Sequence, residues 1–330
     1  ENPNREEVRQ LFTTTPVVVS TVASMCTYDA LFKLRSFDIA IIDEASQILE
    51  PQIIGLLTHL GKFIMIGDHK QLPAVVVQDE EQSRVESPLL HEIGLDNCRN
   101  SLFERLMKLQ HTDATVAMLS RQGRMHQSIG EFGSRMFYEG ELQPVPIEHQ
   151  TESLPYRDFL PDESFVATTR FGFIDVPLPS ATERQPKLNR NEAQMIADLI
   201  RQIVELHEKN GIKFNLSTQL GVIVPFRRQI ASVRSSISEI PILKPFVSSI
   251  MIDTVERYQG SQRDIIIYGT TITRPYELDI LSNTVIVDGA LIDRKLNVAI
   301  TRARKQLFVL GNEKLLRGNE LYRMQKKVIE

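Results

Sequence analysis

Asp43 and Glu44 stand side by side at the end of the apolar run FDIAIID, and Asp68 closes a second such run, KFIMIGD, with HKQLP following at once. A carboxylate pair in that position can be a solvated loop or a helix cap. It can also serve phosphoryl chemistry. Asp43 would hold a Mg2+ whose charge screens nucleotide phosphates, and Glu44 would orient the attacking water or take its proton. A second candidate lies in VPFRRQ, where Phe226 offers a ring to a nucleic-acid base and Arg227 and Arg228 offer charge to phosphate. A solvated helix start is the other reading of that stretch. Phe132, Phe137 and Tyr138 fall at helical spacing and read as core, and His126 reads as a satisfied residue at a helix start.

Such residues need elements that bring them to one edge. Short apolar runs alternate with amphipathic segments, the signature of βαβ units and of a parallel sheet covered by helices on both faces. VVVS (17–20), FDIAIID (37–43) and KFIMIGD (62–68) predict buried strands, with helices at 28–34 and 51–60 between them and an exposed loop at VQDEEQSRVES. After a helix at SLFERLMKLQ, the pattern predicts a strand at TVAML, a helix at IGEFGSRMFY, a strand at FGFIDV and a long helix, NEAQMIADLIRQIVELHEKNG, stopped by Gly211. Strands at LGVIVPF, SSIMID, DIIIYGTTI and KQLFVLG follow. In open parallel sheets, ligands sit outside the carboxyl ends of the strands, where Asp43, Glu44, Gly67 and Asp68 fall. The boundary between two α/β domains is expected near 112–114, giving 1–113 and 114–330.

Composition narrows the class. A chain of 330 residues, 42% hydrophobic, can bury two cores. A net charge of -4 argues against an all-over basic surface and leaves room for a local basic groove. Cys26 and Cys98 form no CxxC pair, so neither a disulfide framework nor a zinc site is expected, and a reducing, intracellular setting follows. No apolar run reaches membrane-spanning length.

IIDEAS, GDHKQLPAV, RQGRMHQSIGEFGSRMFYEG, TVERYQGSQRDIII and LNVAITRARKQLFVLG occur in the order found in superfamily 1 helicases. The chain most resembles the branch containing the nonsense-mediated-decay RNA helicase and its relatives in DNA replication and repair. The resemblance implies RecA-like parallel sheets, ATP with Mg2+ in the cleft between two domains, and single-stranded DNA or RNA across their tops. On it, Asp43 is the metal-binding acid, Glu44 the catalytic acid, and Gln71 the sensor of the γ-phosphate, with Asp68 beside the nucleotide. Arg124 and Arg302 match arginines that the second domain brings to that phosphate, a role suited to a fixed fork of donors. Gln259 and Gly260 match a QG turn near the nucleotide, while Ser20, Thr21 and Thr254 match hydroxyls that touch nucleic-acid phosphates without reading sequence.

The sequence also departs from that pattern. Gly123 stands where relatives carry an aromatic, Glu256 where they have Asp, and Gln262 where they have Glu. No GxxxxGK[ST] loop, whose amides and Lys cradle phosphates, occurs in the 330 residues, and GLLTHLGKF (55–63) has the wrong spacing. The expectation is therefore one partial and one complete RecA-like domain. This would be a portion of a longer helicase whose N-terminal part is its partner, with the isolated chain inactive. The alternative is a nucleic-acid-binding or protein-interaction module whose ATPase has decayed.

Overall fold

The computed structural model describes residues 4–109, 115–287, 289–319 and 321–322. The chain divides into two compact units, Glu1–Met118 and Leu119–Glu330. The boundary expected at 113/114 falls outside the described residues.

In the first unit, β1 (Ala40–Ile42) pairs in parallel with β2 (Phe63–Met65). The intervening helix Glu50–Leu57, opened by Pro51 in its first turn, packs Ile53 and Leu57 against Ile42 and Ala45. Glu50 is buried and takes a two-pronged ion pair from Arg105 (2.6 and 2.8 Å), which ties this helix to the helix Leu102–Leu109. That pairing holds the Arg105 guanidinium above its usual range. Two predicted strands are absent. Val17–Ser20 is irregular, with Val19 92% exposed, and 115–119 is irregular as well. Neither run has a neighbouring strand among the described residues to take its backbone hydrogen bonds, so apolarity alone does not make it extended sheet.

The second unit is built on a five-stranded parallel sheet. Its strands are β3 (Phe171–Asp175), β4 (Leu220–Ile223), β5 (Met251–Asp253), β6 (Arg263–Gly269) and β7 (Ala303–Gly311), in the order β3-β7-β6-β4-β5. One face buries Val222, Ile265, Ile267, Phe308 and Leu310 beneath the helices Arg190–Lys209 and Arg227–Glu239. The residues of opposite parity, Ile266, Tyr268, Leu307 and Val309, are equally buried, and Phe132 of the helix Gln127–Phe137 meets Phe171 edge-on at 5.1 Å on that side. Both faces are thus covered, which is why the strands read as continuous apolar runs. Phe132 and Phe137 are core, and His126 caps its helix by accepting the Ser128 N–H, as expected.

At the carboxyl end of β6, Glu192 is completely buried and accepts the Thr271 N–H (2.8 Å) and hydroxyl (2.9 Å) and the Gln229 amide (3.2 Å). Thr271 has φ +61, a conformation costly for a β-branched residue and held here by those bonds. Burial pushes the Glu192 carboxyl up to about 7, against the downward pull of the same bonds. A raised carboxyl contributes stability that is present below its ordinary value near 4.5 and is lost as pH rises through about 7. Urea unfolding between those limits should therefore show the wild type losing on the order of 3 kcal/mol relative to Glu192→Gln. Parallel pH dependences in the two proteins would refute this account.

Candidate active site and strand-binding edge

The candidate carboxylates of the first unit sit where β1 ends. Glu44 adopts φ +52, a left-handed turn that throws the chain sharply out of the strand, and its N–H is taken by Asp43 Oδ1 at 2.9 Å. Gln47 donates to Glu44 Oε2 at 2.6 Å and fixes the carboxylate. The loops after β1 and β2 are stitched together by Ala45 N–H to the Ile66 carbonyl and by Asp68 N–H to Ser46 Oγ. Gly67 is required at this seam, because a Cβ there would lie 2.9 Å from the Ser46 nitrogen. Beyond it, Asp68 accepts the Lys70 N–H and the Gln71 amide (2.7 Å). The fold therefore gathers Asp43, Glu44, Asp68 and Gln71 at one edge, with Asp43 and Glu44 exposed.

Asp43 suits a Mg2+ bound chiefly through a nucleotide's oxygens, since Mg2+ takes one or two carboxylates and completes its shell with phosphate and water. Among the described residues no group of three or more His, Cys, Asp or Glu could cage a metal. A single exposed carboxylate with one oxygen engaged by an N–H fits the former kind of site.

Thr21 starts the helix Val22–Thr27, where its hydroxyl accepts the Ser24 N–H and donates to the Ser24 hydroxyl, and Ser20 is exposed beside it. Both residues lie at a helix start and do not end a strand.

In the second unit, the candidate residues separate to two ends of the sheet. At the amino ends of β6 and β7, Arg124 Nε donates to Gln262 Oε1 (3.0 Å) and Nη1 to the Thr301 carbonyl (3.3 Å). Arg302 is 2% exposed, and its guanidinium donates to the carbonyls of Val298 and Ser261 and to the Thr301 hydroxyl. The two arginines thus flank Thr301. The Gln259–Gly260 turn, with Gly260 at φ +77, leads directly into Ser261 and Gln262. Gln262 departs from the family's Glu by offering Arg124 a neutral acceptor, a weaker grip than a carboxylate would make. Gly123 faces open space apart from Ile147 at 3.8 Å, so nothing nearby demands a glycine there.

Sequence reading missed the supports of this cluster. Gln122 accepts the Arg124 and Met125 N–H groups, and Gln150 donates to the Gln122 and Met125 carbonyls, so two amides fix the turn that presents Arg124. Gln122 lies within RQGRMHQ and was open to notice; Gln150, far along the chain, was not.

At the carboxyl ends lie Thr254 and the Phe226–Arg227 pair. Thr254 follows β5, and its side chain bonds Glu256, which also pairs with Lys295 at 3.5 Å. Phe226 corrects the stacking expectation: it is 7% exposed, and the Lys187 ammonium lies over its ring at 5.8 Å. The helix it begins turns Arg227 outward and the ring inward. Residues 254–262 join the two ends, starting after β5 and finishing before β6, a parallel strand of the same sheet.

An AAA domain family matches residues 98–314 and a second AAA domain family matches residues 1–79. The chain belongs to the AAA-domain superfamily 1 helicases of the DNA2/Upf1-like kind. The DNA replication ATP-dependent helicase/nuclease DNA2 of Xenopus laevis is 30% identical over 324 residues, covering 92% of this chain and 27% of that protein. The DNA polymerase alpha-associated DNA helicase A of Saccharomyces cerevisiae is 30% identical over 339 residues, covering 95% of this chain and 45% of that protein. An arterivirus nonstructural protein 10 helicase structure aligns with TM-score 0.38 at 12% identity, covering 89% of this chain and 42% of that one. The chain spans less than half the length of these helicases. Among its described residues no helix is long and apolar enough to cross a membrane.

Proposed function

We propose that this chain carries the water-activating, phosphate-sensing and strand-gripping residues of an ATP-dependent helicase that translocates on single-stranded nucleic acid. The observation that carries the proposal is the clustering of Arg124, Gln262, Thr301 and Arg302 at one end of a sheet whose other end presents Thr254 and Arg227, with residues 254–262 linking the two. Asp43 would hold Mg2+, which supplies charge screening at the nucleotide phosphates. Glu44 orients water, and Gln71, Arg124 and Arg302 respond to the γ-phosphate. Asp68, Gln259 and Gly260 shape the nucleotide's surroundings, and Ser20 and Thr21 add hydroxyls for the strand.

The phosphate loop itself belongs, on this proposal, to another part of a longer polypeptide. The first unit supports that view. Ile41 and Ile64, paired in register, are exposed, although a parallel sheet is ordinarily covered on both faces. Residues outside the chain would cover them. The chain by itself is then expected to bind single-stranded nucleic acid with an affinity that falls steeply with salt, and to hold ATP weakly without turning it over. One preparation titrated with a labelled ATP analogue and with a single-stranded oligonucleotide tests both statements. ATP hydrolysis by the purified chain, contaminating ATPase excluded, would overturn the division of labour.

A further inference from the structure

Two segments, leaving the carboxyl ends of β3 and β6, meet at Glu277, which is completely buried, and the helix after β4 docks on the first of them. Its two oxygens accept the Lys187 N–H (2.8 Å), the Thr273 N–H (2.8 Å) and hydroxyl (3.2 Å), and the Arg274 N–H (3.1 Å). Arg228, at the start of the helix after β4, closes the third side by donating to the Gln185 side chain (3.0 Å) and the Pro186 carbonyl (3.4 Å). Lys187 is itself held at φ +61. A buried carboxylate satisfied by backbone donors fixes loops that would otherwise be mobile, and its charge is consumed internally by those donors.

That scaffold displays cations. Lys187, Arg227 and Arg228 are exposed, Arg274 is half-buried, and none of the four forms an ion pair with a side chain among the described residues. Next to Arg274, Tyr276 is 52% exposed, with its hydroxyl 3.5 Å from Arg274 Nη1. Pro275 restricts the backbone before Tyr276 and the clamped Glu277 follows it, so the ring is pre-organised in water. An exposed ring carried on the same tied loops as cations that form no ion pair matches what a single strand presents, an unpaired base with a π-face and phosphates on either side.

We infer that Tyr276 is a base-stacking platform and that Lys187, Arg228 and Arg274, with Arg227, form the phosphate track of a single-strand docking site at this edge. The stacking role expected of Phe226 passes to Tyr276. The inference rests on the reading that the second unit grips a single strand. A base already paired and stacked in a duplex offers Tyr276 no free face, so the site selects single strands.

The test is fluorescence anisotropy of the whole chain with a short labelled oligothymidylate, its RNA counterpart and a blunt duplex, each across a salt series. Tyr276→Ala should weaken single-strand binding about tenfold or more, and Tyr276→Phe should retain it. Lys187→Ala and Arg228→Ala should each reduce the slope of log affinity against log salt by about 0.7. A loss on either DNA or RNA supports the site and identifies its strand. If the wild type binds and every variant binds equally with the same slope, this inference falls while the helicase reading stands. If the wild type binds no single strand, that reading falls first. Equal loss on the duplex would overturn the stacking role.

Discussion

In the longer polypeptide proposed above, Glu44→Gln should retain ATP binding and lose turnover by roughly two to four orders of magnitude, the range for removing a positioned general acid or base. The geometry sharpens this expectation. Glu44 occupies a left-handed conformation that costs a residue with a Cβ about 1 kcal/mol, and strain of that kind is kept where it aims a side chain. The carboxylate is steadied by Gln47 at 2.6 Å, and an amide of the same shape can keep that contact through its own carbonyl oxygen. The substitution therefore removes proton affinity while leaving the loop in place. Because Asp43, Gln71 and the seam at Gly67 are untouched, nucleotide affinity should stay within a few-fold. Equilibrium binding of an ATP analogue beside steady-state hydrolysis with saturating single strand separates the two effects. Turnover at the wild-type rate would remove Glu44 from the chemistry.

The parts of this molecule that were legible in the sequence are those whose chemistry is local. The strands of the second unit announced themselves because both faces of their sheet are buried, so that IIIYG within β6 and LFVLG within β7 run without a charged residue. The positions of the DE pair and the GDHKQ turn were legible because polar residues follow each apolar run at once, and the structure places both just past the ends of β1 and β2. VVVS misled for a physical reason: β-branched residues fit a strand only when another strand accepts their hydrogen bonds, and none does so among the described residues. Phe226 misled because one residue of register at a helix start decides whether a ring faces water or core. The buried carboxylates were invisible. Glu192 reads as an ordinary charge on an amphipathic helix, and only the fold brings Thr271 and Gln229 onto it from 79 and 37 residues away. Glu277 likewise gains its meaning from Lys187, 90 residues earlier.

The second large effect concerns the arginines, and here the structure changes what must be measured. Arg302→Ala in the longer polypeptide should lower turnover about 10³-fold or more, the scale of an arginine that meets the transferred phosphoryl group. Yet Arg302 is buried, and its fork already serves the carbonyls of Val298 and Ser261, so its loss also removes internal hydrogen bonds and leaves a buried space. A fall in turnover alone cannot separate the two roles. Arg124 is the better probe, because it is half-buried and its Nε partner is the exposed, neutral Gln262 amide, which can turn to water. Arg124→Ala should therefore leave the urea midpoint and single-strand affinity unchanged while turnover drops by orders of magnitude. Arg302→Lys should preserve more of the fold than Arg302→Ala but little of the rate, since a point charge cannot reproduce the planar fork. Full turnover in Arg124→Ala, or a rate loss in Arg302→Ala that merely tracks its unfolded fraction, would reduce the cluster at the amino ends of β6 and β7 to a structural knot and leave the γ-phosphate without its proposed arginines.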